Sequence, residues 1–479
     1  MDKFVRKYKK IPQAVKASYW FMICNVFQKG LAFITIPIYT RLLTTTEYGT
    51  YSVYNTIFYI IAIFASLSLS ASFFYVGVLK YDKDKDKFLS SIQGLSTIST
   101  IIVFAICFIF YGLFYKITEL NIELLLIMSV QMLFSTPVLY WSAKQRFEYK
   151  YKKVVAVTLI SSIATVCLSL LLINYMTDRS YSLILGAAIV QILVGVFFFI
   201  YNLGKGKCFY DRKIWKHALS FGVPLIPHYL AYIILNSSDR VMINNLYSSS
   251  AAGIYSLACQ ISIAVNLVTS AIDASFNPWV YQKLKARQYQ EIARITNYVV
   301  SVFGMVVVGF VLVSPEILLI VAPEDYQSVK WVMPPVILGC FYLYLAGCFM
   351  RVAFYHERKQ IMTVASVFSS ILNILLNLIF IPTYGFIAAA YTTLISYMVF
   401  AMVHFIGMRV ICKNNSYEII PFDSKILILI ALGVTVTSQA LLIVYEQPIM
   451  RYGFFVVIIS IAAIFRNKLY KIYSEIKRK

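Results

Sequence analysis

The stretch LLTTTEYGTYS occupies residues 42–52, and LYSSSAAGIYS occupies residues 246–256, each between two long apolar runs. Laid over each other at an offset of 204, they share Leu42/Leu246, Gly49/Gly253, Tyr51/Tyr255 and Ser52/Ser256. Thr44, Thr45 and Thr46 fall opposite Ser248, Ser249 and Ser250. The chain thus writes one hydroxyl-rich turn and one Gly-x-Tyr-Ser restart twice. What lies between the two copies decides what the repeat builds.

The intervening segments are apolar. Hydrophobic residues make up 60% of the chain and charged residues 13%, with a mean hydropathy of +0.74; a soluble globular chain carries about 25% charged residues. The apolar residues stand in blocks of about twenty or more, the length that crosses a hydrocarbon core as a helix. They are apolar at nearly every position, unlike barrel strands, which alternate over about ten residues. Fourteen spans are expected, roughly 17–39, 52–79, 90–115, 122–142, 154–175, 181–203, 218–238, 252–276, 296–322, 331–350, 361–381, 386–408, 426–444 and 452–465. The first is too long for a signal peptide and lacks a small-x-small cleavage site, so it is expected to stay as a helix. The expected class is an all-α polytopic membrane protein. The offset of 204 covers six of these spans. Six is even, so both copies enter the membrane in the same direction, as in a parallel repeat about an axis along the membrane normal. LGAA at 185–188 and IAAA at 387–390 echo each other more weakly. Residues 1–210 (helices 1–6) would form one lobe and 211–412 (helices 7–12) a second, with 413–479 holding helices 13 and 14 and a basic tail. Each copy of the turn would be the outer hinge joining the first two helices of its lobe, its hydroxyls satisfying main-chain groups freed at helix ends.

Charge orients the bundle. Of the 43 Lys and Arg residues, about 36 fall on alternate loops of the side that holds the N-terminus. Arg41, Lys116, Arg179, Arg240, Lys330 and Arg451 fall on the other side, and Lys29 lies inside a span. The positive-inside rule then places both termini in the cytoplasm. The net charge of +22 therefore reports topology and not nucleic-acid binding, and part of it would hold that face against anionic membrane lipids. The eight cysteines lie in spans or on the same side, with no Cys-x-x-Cys and no metal-spaced His/Cys cluster. Neither structural disulfides nor a zinc site is expected.

Three stretches resemble the polysaccharide-transporter family of the multidrug/oligosaccharidyl-lipid/polysaccharide exporter superfamily. PIYTRLLTTTEYGTYS (37–52) carries the proline, arginine and acidic-x-Gly-x-Tyr turn after helix 1. ALSFGVPLIPHYLAYIILNSSDRVMINNLYSSSAAGIYSLA (218–258) carries the Pro-x-x-Pro of helix 7, its Ser-Asp-Arg end and the Gly-x-Tyr-Ser restart. LNILLNLIFIPTYGFIAAAYTTLIS (372–396) carries paired Asn, Ile-Pro-x-x-Gly and the small-residue start of helix 12. The likeness covers about residues 10–410, and helices 13–14 exceed the usual twelve. It implies a flippase that moves an undecaprenyl-pyrophosphate-linked oligosaccharide of the O-antigen or capsule repeat-unit type from the cytoplasmic to the outer leaflet of a bacterial plasma membrane. It implies no catalytic residues and no cofactor, with a polysaccharide polymerase and glycosyltransferases as working partners.

Intramembrane polar groups are costly and mark candidate sites. Lys29 lies near the middle of helix 1 and shares a face with Asn25 and Ser18, at spacings of four and seven; its ammonium suits a pyrophosphate. Helix 8 carries Ser262, Asn266, Ser270, Asp273 and Asn277 as one stripe, and Asp273 is a candidate partner for Lys29 or a titrating group. Helix 7 presents His228, Tyr232, Asn236 and Asp239 below a kink at Pro224 and Pro227. Arg41 and Arg240, at the outer ends of helices 1 and 7, would form an outer gate with Glu47 and Asp239. Arg351 reads as one of the positive-inside set. The substrate set is then Lys29, Asn25, Asn266, Ser270, Asp273, Arg41 and Arg240. Flippases of this superfamily that use a cation join an acid on helix 7 to polar side chains of helices 11 and 12. That implies Asp239, Asn373, Asn377 and Thr393 here, beside Thr392, as oxygen ligands suited to Na⁺, with proton coupling as the alternative. The pattern departs from the family in having a single acid. A multidrug/cation antiporter on this fold would favour acidic groups over Lys29, and a lipid II flippase would hold several cations. A polymerase or ligase would need a large outer loop, and the outer loops here reach about a dozen residues.

Overall fold

Inside a membrane no water is at hand for the main chain, so an apolar block must close its hydrogen bonds within itself as a helix. The computed structural model describes residues 13–69, 73–81, 84–356, 358–415, 417 and 420–464, and among these it holds helices and no strand. Among the described residues twelve helices are long and apolar enough to cross a membrane. The other two expected spans are not among them. The 52–79 run is α2 (Thr45–Ser66) and α3 (Phe73–Lys80), parted by Leu67 and Ser68 in the left-handed region and by residues outside the description. The 452–465 run is α18 (Pro448–Ile464), which stops at the edge of the described chain. The basic segments 1–12 and 465–479, which carry part of the charge bias, lie outside the described residues.

The chain divides into two compact units, residues 1–233 and 234–479. The first contains α1 (Gln13–Leu42), α2, α3, α4 (Lys85–Ile109), α5 (Tyr111–Thr118), α6 (Ile122–Phe147), α7 (Tyr151–Leu172), α8 (Ser180–Gly206) and α9 (Arg212–Gly222). Pro224 stands in a 3₁₀ turn, Val223–Leu225, that breaks α9 from α10 (Ile226–Leu246), and the division falls inside α10. The second unit continues with α11 (Ser249–Ile261), α12 (Ile263–Lys285), α13 (Tyr289–Val321), α14 (Val329–Tyr355), α15 (Lys359–Tyr384), α16 (Ile387–Asn414), α17 (Ser424–Ala440) and α18.

The two copies of the hydroxyl-rich turn do the same local job. Thr44 is the N-cap of α2, its hydroxyl accepting from the Glu47 N–H at 3.2 Å while the Glu47 carboxylate accepts from the Thr44 N–H at 2.8 Å. This is a capping box, which satisfies two donors that a helix start leaves open. Ser248, 204 positions later, is the N-cap of α11 and accepts from the Ala251 N–H at 3.1 Å. Such a cap stabilises a helix start by about 1 kcal/mol. Gly49 and Gly253, each in the first turns of the capped helix, are both buried. In the first unit the Leu42 carbonyl that ends α1 also accepts from the Arg179 guanidinium at 2.6 Å.

Close approach and polar ties hold the first unit together. A Cβ on Gly195 of α8 would come within 2.0 Å of the Phe134 carbonyl on α6, so only a residue this small lets those helices meet. Tyr54 donates to Gln131 at 2.7 Å and Gln131 to Gln191 at 3.0 Å, linking α2, α6 and α8. Phe73, Phe74, Phe88 and Tyr140 fill one apolar core between α3, α4 and α6. Asp211 caps α9, accepting from the Lys213 and Ile214 N–H groups at 2.9 and 3.2 Å, and pairs with Lys87 at 2.8 Å. Lys87 and the two N–H donors hold the Asp211 carboxyl below its ordinary range, so its contribution to stability is present above that range and is lost as pH falls through the depressed value. In the second unit Arg451 of α18 is buried, pairing with Glu316 at 2.7 Å and pinning α18 to α13.

Candidate functional site

An acid buried in a membrane-spanning helix must be matched by donors or by a cation. Asp239, on α10, is 2% exposed. One oxygen, Oδ1, accepts from Asn377 Nδ2 of α15 at 2.7 Å. The other, Oδ2, accepts from the Tyr255 hydroxyl of α11 at 2.5 Å and from Thr393 Oγ1 of α16 at 2.7 Å. Three helices therefore converge on one carboxylate. Behind them, Asn373 donates to Thr393 at 2.9 Å, Asn377 donates to Asn373 at 3.3 Å, and the Thr392 hydroxyl donates to Asn377 Oδ1. Asn373 and Asn377 are fully buried. One turn before Asp239, Asn236 accepts from the Tyr397 hydroxyl at 3.0 Å.

Local sequence explains the convergence. Asn373 and Asn377 are four apart and so share a face of α15. Gly385, at φ +76°, makes the turn between α15 and α16, a conformation that glycine takes without penalty. That hairpin returns Thr392 and Thr393 beside the two asparagines. Tyr255 reaches the cluster because the Ser248 cap starts α11 directly after α10.

The arrangement has two chemical states open to it. A carboxylate offers about four lone-pair positions, and here neutral amide and hydroxyl donors occupy three of them. Turning the Asn377 amide and the two hydroxyls would present oxygens in place of hydrogens, giving a dry, all-oxygen set around a single negative charge. Such a set suits a small hard cation. Protonation of Asp239 would neutralise the same group. The residues present therefore fit either ion.

The comparisons with known proteins agree with this architecture. Residues 14–283 match the family described as polysaccharide biosynthesis protein. The chain belongs to that family. This polysaccharide biosynthesis family member is 23% identical over 387 residues to a protein named for the Lsg locus of Haemophilus influenzae, covering 75% of this chain and 89% of that one. It is 19% identical over 419 residues to a membrane protein of Methanocaldococcus jannaschii, covering 81% and 82%. Its fold is similar to that of the lipid II flippase MurJ in an inward closed conformation, with a TM-score of 0.72 at 16% identity over 94% of this chain and 99% of that one. It is also similar to an inward-facing multidrug resistance MATE transporter, with a TM-score of 0.62 at 13% identity over 82% and 96%. The family member is thus a multi-pass membrane protein with a transporter fold.

The structure brings Asp239, Asn373, Asn377 and Thr393 into one hydrogen-bonded cluster. Tyr255 and Thr392 complete it. Tyr255 was visible only as part of the repeated restart, whose expected place in a hinge hid the hydroxyl; nothing in a linear sequence aims it at residue 239. Arg240, the next residue, is half-buried. Asp239 is turned into the cluster and not toward an outer gate. Glu47, the other acid of that expected gate, closes the α2 capping box and accepts from the Arg179 N–H at 2.8 Å, while Arg41 is exposed and donates to the Pro37 carbonyl at 2.8 Å.

The helix 8 stripe lies on α12, with Ser262 at the break that parts it from α11. Asn266 and Ser270 are exposed, with Ser270 donating to the Asn266 carbonyl at 2.8 Å. Asp273 is held by Arg351 of α14 at 2.5 Å, so the carboxylate read as a partner for Lys29 has its partner in its own unit. Arg351 is correspondingly no loop cation: it is 5% exposed, donates to Asn277, and lies over the Phe276 and Tyr344 rings at 5.1 and 5.8 Å. Its position at the end of a span made it look like part of the charge bias, but α14 continues to Tyr355 and carries it inside. On α1, Lys29 is half-buried and Asn25 exposed. His228 is half-buried against Tyr229, ring centroids 5.4 Å apart.

Proposed function

We propose that this protein is a flippase for an undecaprenyl-pyrophosphate-linked oligosaccharide, an O-antigen, capsule or exopolysaccharide repeat unit. It would carry that lipid from the cytoplasmic to the outer leaflet of a bacterial plasma membrane by alternating access, with both termini in the cytoplasm. Membership of the polysaccharide biosynthesis family is the observation that carries the reading. The MurJ-like fold supports it, since the protein whose fold is matched is named a lipid II flippase. Lys29, Asn25, Asn266, Ser270, Arg41 and Arg240 would meet the substrate. Asp273 acts there only through Arg351. A pyrophosphate needs a positive charge on its way across, and Lys29 supplies one at mid-span. The Asp239 cluster would couple transport to Na⁺ or to a proton. A polysaccharide polymerase and glycosyltransferases would act on either side of this step, which itself makes and breaks no covalent bond.

Deletion of the gene in its native host tests this. Surface polysaccharide should disappear, and the lipid-linked oligosaccharide should accumulate in the cytoplasmic leaflet, where an impermeant probe added outside cannot label it. Normal surface polysaccharide together with raised sensitivity to organic cations would show a drug exporter instead.

A further inference from the structure

A cavity of about 980 Å³ opens in the first unit among the ends of α1, α4, α6, α7 and α8. Six lysines line it: Lys16, Lys144, Lys150, Lys152, Lys153 and Lys205. The carboxylates lining it are Asp86 and Glu148, and both are engaged, Asp86 with Lys144 at 2.5 Å and Glu148 with Lys150 at 2.5 Å. Among the described residues no carboxylate pairs with Lys152 or Lys153. So many like charges in one concavity repel one another, and the low-dielectric walls strengthen the effect.

Local sequence adds to the repulsion. The first turn of α7 contains no acidic residue, and Lys150 at its N-cap gives no side-chain cap. Lys152 and Lys153 follow in that first turn, where the helix dipole disfavours cations. Glu148 compensates Lys150, but among the described residues no carboxylate does so for Lys152 and Lys153, and a local rule broken in this way points to something outside the chain. Trp141 and Tyr151 are buried in the wall of the cavity, with Trp20 stacked on Tyr151 at 6.3 Å and 7°, while Tyr201, which also lines it, is exposed. An exposed tyrosine of this kind settles at the headgroup level of a bilayer, and basic pockets between spanning helices take phospholipid headgroups.

We propose that this cavity binds paired phosphates, those of a diphosphate-bearing anionic lipid headgroup at the membrane surface. One phosphodiester would leave most of the excess positive charge uncompensated, whereas two come closer to matching it. The open N–H groups at the start of α7 would add donors to one phosphate, with the lysines around the other. The site is independent of the transported cargo, because a resident phospholipid would fill it whatever substrate crosses.

The test is thermal unfolding of the full-length protein in detergent at constant ionic strength, titrated separately with diphosphatidylglycerol, phosphatidylglycerol and potassium pyrophosphate. Diphosphatidylglycerol should raise the unfolding midpoint. The Lys150→Gln/Lys152→Gln/Lys153→Gln variant should need roughly tenfold more lipid or higher for the same shift. Replacing the same three lysines with arginine should preserve the response, which guards against a folding defect in the glutamine variant. A comparable response to pyrophosphate assigns the site to soluble paired phosphates as well, and a response to the lipid alone assigns it to the membrane. Three results overturn the proposal: no shift with either diphosphate ligand, an equal response per phosphate to phosphatidylglycerol, or an equal loss in Arg212→Gln/Lys213→Gln/Lys216→Gln on α9, which would reduce the effect to general surface charge.

Discussion

Asp239→Asn should remove Na⁺-dependent stabilisation and lower Na⁺-driven transport by roughly a hundredfold, the equivalent of losing the one charged member of a buried set at about 3 kcal/mol. The sign of the stability effect separates this from simple damage. Without the ion, Asp239 is a fully desolvated carboxylate held by three neutral donors, so replacing it with an amide removes a desolvation cost and should leave the protein as stable or more so. With Na⁺ present, the wild type should gain in unfolding midpoint over choline and the variant should not. Asn377→Ala should weaken the gain without abolishing it, because it removes one oxygen and leaves the charge. Equal wild-type midpoints in Na⁺ and choline would remove sodium and leave a proton on Asp239 as the coupling ion. Asp273 is the weaker proton candidate, since Arg351 already neutralises it at 2.5 Å.

Lys29→Ala should abolish surface polysaccharide while the protein inserts at normal levels. Lys29 lies about 20 Å from the Leu42 end of α1 at 1.5 Å per residue, deep enough that an unaccompanied pyrophosphate passing it would face a prohibitive desolvation cost. A half-buried ammonium lowers that cost without holding the anion permanently, because both partners keep part of their hydration. Lys29→Arg should retain partial function, since it keeps the charge and changes the donor geometry. Lys29→Glu should be at least as defective as alanine. Full polysaccharide export by the alanine variant would demote this lysine to packing.

The helical class, the order of the apolar blocks and the twin caps at Thr44 and Ser248 were legible because each is local. A span is a run of apolar residues, and a cap is a hydroxyl placed just before a helix. The Asp239 cluster was partly legible: Asn373 and Asn377 sit one turn apart, and a resemblance to cation-using flippases pointed from helix 7 to helices 11 and 12. Tyr255 and the inward turn of Arg351 were not legible, since both depend on which face of one helix meets another, a matter of packing that charge and periodicity leave open. The same holds for the gate expected of Arg41 and Arg240 with Glu47 and Asp239: a helix start satisfies its own open N–H groups first, and Thr44 with Glu47 closes a capping box at 2.8 Å.

The most direct test of the account is transbilayer movement by the purified protein in liposomes. An undecaprenyl-pyrophosphoryl oligosaccharide is placed in one leaflet, and its exposure on the other side to an impermeant sugar-modifying enzyme is followed over time. The account predicts exposure that requires the protein, rises with an inward Na⁺ or proton gradient, and disappears with Lys29→Ala and Asp239→Asn. Exposure no faster than in protein-free liposomes, in a preparation that does transport organic cations, would contradict it.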